Sequence, residues 1–114
     1  MASPLAMEVR VELYRDGGLP AAMQGQISAT LAQRWPETWD VKVPPTPSFE
    51  HPAEWRSVVP LPDGTTPEQL HREIASRILG LDPVGGIHLR TRWAFQESPN
   101  HQEIYEERWA PNST

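Results

Sequence analysis

The apolar residues of this chain change period along its length, from two to about four and back, and they do so twice. Few folds accommodate that order. Met7 to Arg15 alternates, with Val9, Val11 and Leu13 on one side and Glu8, Arg10, Glu12 and Tyr14 on the other. Alternation with β-branched residues predicts a half-buried strand, ended by Asp16-Gly17-Gly18. From about Leu19 to Arg34 the pattern turns helical: Leu19, Met23, Ile27 and Leu31 form one stripe, flanked by Ala22, Ala29 and Ala32. Pro20 suits the first turn of this helix and Pro36 stops it. Gly25 weakens its middle by about 1 kcal/mol relative to alanine, unless a neighbour must approach closely there.

Trp39, Val41 and Val43 alternate with Asp40 and Lys42 as a second strand, followed by a stiff, exposed proline loop from Pro44 through Pro52. Trp55, Ser57, Val59 and Leu61 form one side of a third strand, with Arg56 and Val58 on the reverse. Pro60 cannot donate to a ladder, so this strand ends or meets an edge there. The second helix is strongly marked. Thr66 can cap, Pro67 takes the first position, and Gln69 can return a bond to the cap. Leu70, Ile74, Ala75 and Ile78 give its buried face, and Gly80 is placed for a left-handed cap before Asp82-Pro83. After Gly85-Gly86, the residues Ile87, Leu89, Thr91, Trp93 and Phe95 alternate with His88, Arg90, Arg92 and Ala94. Glu97 to His101 is expected to turn, and Glu103 to Trp109 to return as a fifth strand. Of its two registers, the one that turns Tyr105 and Trp109 toward the Trp93/Phe95 face buries two aromatics rather than two charges.

The resulting order, β-α-β-β-α-β-β, predicts an α+β class. It resembles the ferredoxin-like β-α-β-β-α-β sandwich across most of the chain, with an additional C-terminal strand. That resemblance implies two helices on one face of a mostly antiparallel sheet. It implies no particular function, because the superfold hosts many. A single domain over residues 7–110 is expected, with residues 1–6 and 111–114 as flexible ends and either Met1 or Met7 as the start.

Composition narrows the function classes. A formal net charge of −5 argues against generic nucleic-acid or membrane-surface binding. The chain has no cysteine, which removes disulfides, thiol catalysis and thiolate metal sites. The N-terminus lacks the features of a signal peptide, and no run approaches the ~20 apolar residues of a membrane span. A soluble, cytoplasmic protein is therefore expected. Asn112-Ser113-Thr114 is a chance match to a glycosylation sequon on this reading.

Catalytic motifs do not stand out. His51, His71, His88 and His101 show no metal-ligand spacing, and the expectation is four solvated or capping histidines. His51 and His101 fall in loops, where a mutual approach is conceivable. No nucleophile elbow surrounds Ser28, Ser48, Ser57, Ser76 or Ser98. Glu106 and Glu107 are adjacent on a strand and point to opposite faces. No catalytic residue, cofactor or metal is assigned.

Binding is the remaining class. The polar side of the strands carries Arg10, Lys42, Arg56, Arg90 and Arg92 against Glu8, Glu12 and Asp40, a slight basic excess. Cross-strand pairing of these charges competes with service to an anionic partner. Of five tryptophans, Trp39, Trp55 and Trp93 run in phase with core positions. Trp35 and Trp109 are not forced inward by any pattern and are equally suited to covering the rim of the core or to anchoring a partner. The binding candidates are thus Trp35, Trp109, Arg90, Arg92 and Tyr14. The function expected is a non-enzymatic interaction or accessory domain, joined to a protein partner or to a second copy through open sheet edges. The alternative is a cofactor-free enzyme or small anionic-ligand binder. Its pocket would form between two copies from Tyr14, Arg90, Arg92 and the loop histidines.

Overall fold

The computed structural model describes residues 5–15, 17–81, 86–95 and 98–108. Seven elements follow in order: β1 (Leu5–Arg15), α1 (Ala21–Arg34), β2 (Asp40–Lys42), β3 (Ala53–Leu61), α2 (Pro67–Leu79), β4 (Ile87–Phe95) and β5 (Ser98–Arg108). The five strands form one sheet in the order β2-β3-β1-β4-β5, and every neighbouring pair is antiparallel. The fold is α+β. β1 is central, and each helix joins two strands that have one other strand between them.

Strand alternation decides which face is covered. Met7, Val9, Val11 and Leu13 of β1 are buried, as are Ala53, Trp55, Val59 and Leu61 of β3 and Ile87, Leu89, Thr91 and Trp93 of β4. These residues meet Ile27 and Leu31 of α1 and Leu70, Ile74, Ala75 and Ile78 of α2 in one core. The opposite face has no helix on it among the described residues.

Two tryptophans tie this core to its surroundings. Trp55 is fully buried and its indole N–H donates to Ser28 Oγ on α1 at 2.9 Å. Trp39, half-buried, donates to the Trp35 carbonyl at 2.9 Å. The α2 cap is as expected: Thr66 Oγ1 accepts from Gln69 N, and Gln69 Oε1 accepts from Thr66 N. Between the helices, Arg34 Nε donates to Glu73 Oε2.

Several expectations are corrected. β1 begins at Leu5 rather than Met7. Pro20 is the residue before α1 rather than part of its first turn. β2 is short and lies wholly exposed, with only Trp39 and Val43 beside it reaching the core. Gly80 is right-handed, with φ −70°, because the chain leaves α2 through a further turn closed by Leu81 N to Ile78 O. Gly25 has no atom close to where a Cβ would stand, so no tight approach requires it. Pro60 lies within β3, past the stretch paired with β2, where that side of the strand has no neighbour among the described residues.

β5 starts at Ser98, so a strand replaces most of the expected turn. A bulge at Ala94/Phe95 absorbs the extra residues. An edge strand tolerates Pro99, which is why proline did not end it. Thr91 opposes Tyr105, so Tyr105 faces the core as expected. The same register also turns Glu103 and Glu107 toward the helices, a consequence the sequence reading missed. Trp109, Asp16, Asp82, Pro83, Gly85, Glu97 and the sequon at Asn112 lie outside the described residues.

Candidate functional site

The uncovered sheet face is ordered in rows, because directly opposed residues in antiparallel strands share a face. One row reads Lys42, Glu54, Glu12, Arg90, Glu106 from β2 to β5. The next reads Asp40, Arg56, Arg10, Arg92, Ile104. Glu54 belongs to this face and was omitted from the charge count made on sequence, so the expected basic excess is smaller than it seemed.

Glu12 organises the centre. Its side chain is on the face without a helix, yet it is only 4% exposed. One oxygen, Oε1, accepts from Arg90 Nε at 2.7 Å and from Arg92 Nε at 2.8 Å. Burial alone would raise its pKa, but the hydrogen bonds and charges of the two arginines outweigh that and hold the carboxyl below its usual value. The predicted candidates Arg90 and Arg92 are therefore brought together, through an acid that the sequence reading had placed only as a possible cross-strand partner. Glu54 similarly contacts Arg56 at 3.3 Å and Arg10 at 3.9 Å.

Tyr14 is on the same face, stacked on His88 at 4.4 Å between ring centres and nearly parallel. Phe49, from the proline loop, meets the Tyr14 ring edge-on at 6.2 Å and lies under the Arg90 guanidinium. No periodicity marks an irregular loop, so Phe49 was not legible from sequence. Shallow hollows open on this face. One, of about 440 Å³, is lined by Arg10, Arg56, Arg92, Glu8, Asp40 and Gln102 among others. The second, of about 370 Å³, is lined by Tyr14, Phe49, His88, Arg90 and Glu106 among others. Arg90 and Arg92 thus line separate hollows, and Tyr14 shares one only with Arg90. The pocket expected from all three lies between two copies, and within one chain the described residues place Arg92 in one hollow and Tyr14 with Arg90 in the other. His51 sits beside β2 and β3 while His101 is on β5 at the opposite edge, so the two histidines do not meet.

Trp35 is not an exposed anchor. It is 3% exposed and belongs to the core, capping α1 through its N–H to Leu31 O at 2.8 Å. Its ring lies beneath the Arg34 guanidinium. Burial at the end of α1 accounts for its size without a partner.

His71 also departs from the expectation of a solvated or capping histidine. It is 2% exposed, not solvated. Helical spacing from His71 to Ala75 and Ile78 puts it on the inward stripe, a signal present in the sequence but not used. Trp93 Nε1 donates to Thr91 Oγ1 at 2.8 Å, and that oxygen lies 2.7 Å from His71 Nδ1. An indole can only donate, so Thr91 Oγ1 accepts from Trp93, and its own proton remains available to a neutral Nδ1. Nε2 is 3.4 Å from Glu107 Oε1, long for a hydrogen bond, and has no other partner among the described residues. Tyr105 packs on the same imidazole and donates to Glu103 at 2.6 Å, a bond that, with burial, pushes its pKa up to about 12.

Hydroxyl, imidazole and carboxylate in this order resemble a nucleophilic triad. Here Thr91 is fully buried and lines neither hollow. The chain of groups joins α2 to β4 and β5. Burial pulls the His71 pKa below its ordinary value, and the carboxylate of Glu107 only partly restores it. The native state therefore favours the neutral ring. Its contribution to stability is complete above the unfolded-histidine range near ~6.5 and falls as pH drops through that range. Urea midpoints measured at pH 8 and pH 5.5 are expected to differ less in His71→Phe than in wild type. An unchanged difference would remove His71 as the source.

Among the described residues no group of three or more His, Asp or Glu could hold a metal ion, and no helix is long and apolar enough to cross a membrane. Comparison with known proteins adds no relative: no protein-family model, no curated protein and no solved structure matches the chain.

Proposed function

We propose that this chain is a non-enzymatic interaction domain whose working surface is the uncovered sheet face, engaging a protein partner or a second copy. The observation that carries this reading is the buried Glu12 beneath Arg90 and Arg92. Desolvating a carboxylate is costly, and apolar side chains serve stability as well, so an acid that fixes two arginines on an open face is better explained by recognition. Val58 and Ile104, 41% and 47% exposed, stand on the same face and add apolar contact. A ferredoxin-like arrangement belongs to the same proposal. Its support is that α1 and α2 each span one intervening strand and that both pack into the same core against one side of the sheet.

Capture from the source cells tests the reading, with wild type compared with Ile104→Arg and with Ala29→Arg, an exposed site on α1. Sedimentation of the purified chain covers the case of a second copy. A partner, or a dimer, lost only with Ile104→Arg is the expected result. Retention in Ile104→Arg, or equal loss from both variants, overturns it.

A further inference from the structure

Arg56, Arg10 and Arg92 stand directly opposite one another on three adjacent strands, and all three line the same hollow. Like charges directly opposed on a sheet destabilise it, with Cβ atoms only about 5 Å apart. Their acids do not stand between them in the row. Glu12 and Glu54 belong to the neighbouring row, and Asp40 stands at the β2 end, beyond Arg56. Arg92 is held by its Nε alone: among the described residues no hydrogen bond or ion pair takes its Nη groups. The Arg10 contact to Glu54 is a long one, at 3.9 Å. The side chains of Arg10, Arg56 and Arg92 remain 37%, 46% and 31% exposed. Guanidinium N–H donors therefore converge on an open hollow, with one fork already fixed in direction.

We propose that the Arg56–Arg10–Arg92 row is a binding site for a carboxylate, either an acidic side chain of a partner or a small free acid. It rests on the reading of the uncovered face as the working surface. A guanidinium fork matches the two oxygens of a carboxylate, and a group seated over Arg10 lies between the other two cations. The charge of the hollow sets the valence. Glu8 and Asp40 line it together with the arginines, so one carboxylate group at a time is matched, and a compact dianion such as phosphate, whose charges enter the hollow together, is repelled by the rim. Fixing Arg92 through Glu12 before the ligand arrives reduces the ordering lost on binding.

The test is an NMR titration of the full chain that follows backbone amides and the arginine Nε–H signals. The probes are succinate, a capped peptide carrying two glutamates, and inorganic phosphate. Succinate or the peptide is expected to move the signals of Arg10, Arg56 and Arg92 together, and to do so at lower concentration than phosphate. Binding by the peptide alone assigns the site to a protein partner, and binding by succinate alone assigns it to a free acid. Arg10→Gln is expected to weaken binding by about tenfold, while Arg77→Gln, which removes the same charge from α2, changes it by less than about twofold. Equal losses in the two variants, tighter binding of phosphate, or no response to either carboxylate overturns the proposal. If the carboxylates fail while Ile104→Arg still removes a captured partner or a dimer, the interaction function stands and this site alone falls.

Discussion

Trp93→Ala is expected to lower the stability of the folded chain by about 3–5 kcal/mol. The indole is fully buried on the covered face of β4, among the strand and helix residues of the single core. Truncation to a methyl group removes that area from the core and leaves a cavity that rigid strand neighbours cannot close. A polar loss is added. The Trp93 N–H donates to Thr91 Oγ1, which in turn lies against His71 Nδ1, so the threonine hydroxyl loses its donor inside a dry core. Trp93→Phe separates the two effects, because it keeps most of the packing and removes only the N–H. It is expected to cost about 1 kcal/mol. Urea unfolding followed by circular dichroism reads both. For a domain whose whole stability is of order 5–15 kcal/mol, the alanine variant is expected to unfold at a far lower urea midpoint. A loss below about 1 kcal/mol in Trp93→Ala would contradict the buried placement.

What could be read from the sequence was what repeats locally. The alternation in β1, β3 and β4 identified the covered face, because a period of two leaves only one side for Val9, Val11 and Trp93. The cap around Thr66 and the stripe from Leu70 to Ile78 located α2 for the same reason. Contacts that depend on register between distant strands were not legible. Glu12 looks like any other outward acid of β1 until β4 is aligned so that Arg90 stands opposite it and Arg92 diagonal to it. Glu107 likewise gained its place near His71 only from the pairing of Thr91 with Tyr105. Phe49 needed a loop path that no periodicity encodes. Proline misled at two points, at Pro20 and Pro99, because it is tolerated just before a helix and on an edge strand.

Glu12→Gln is expected to cost about 2–3 kcal/mol at neutral pH. Removing one partner from a buried ion pair costs more than the pair contributes, because the remaining charges are left uncompensated. That full penalty is reduced here since Arg90 and Arg92 keep 16% and 31% of their side chains in water. The amide retains the shape and one acceptor, so the loss reports charge rather than packing. The pH dependence has a fixed sign. The folded-state pKa of Glu12 is lowered, so the stability it contributes is present above the unfolded-state value and is lost as pH falls through the folded one. Wild type should therefore lose stability in the acid range, below the window in which His71 acts, and Glu12→Gln should lose less there. The same variant reports on orientation, because the Nε–H signals of both arginines should shift when their shared acceptor loses its charge. Unchanged signals together with lower stability would make Glu12 a purely structural acid. Shifted signals would mean that the uncovered face holds its arginines in position before any partner arrives.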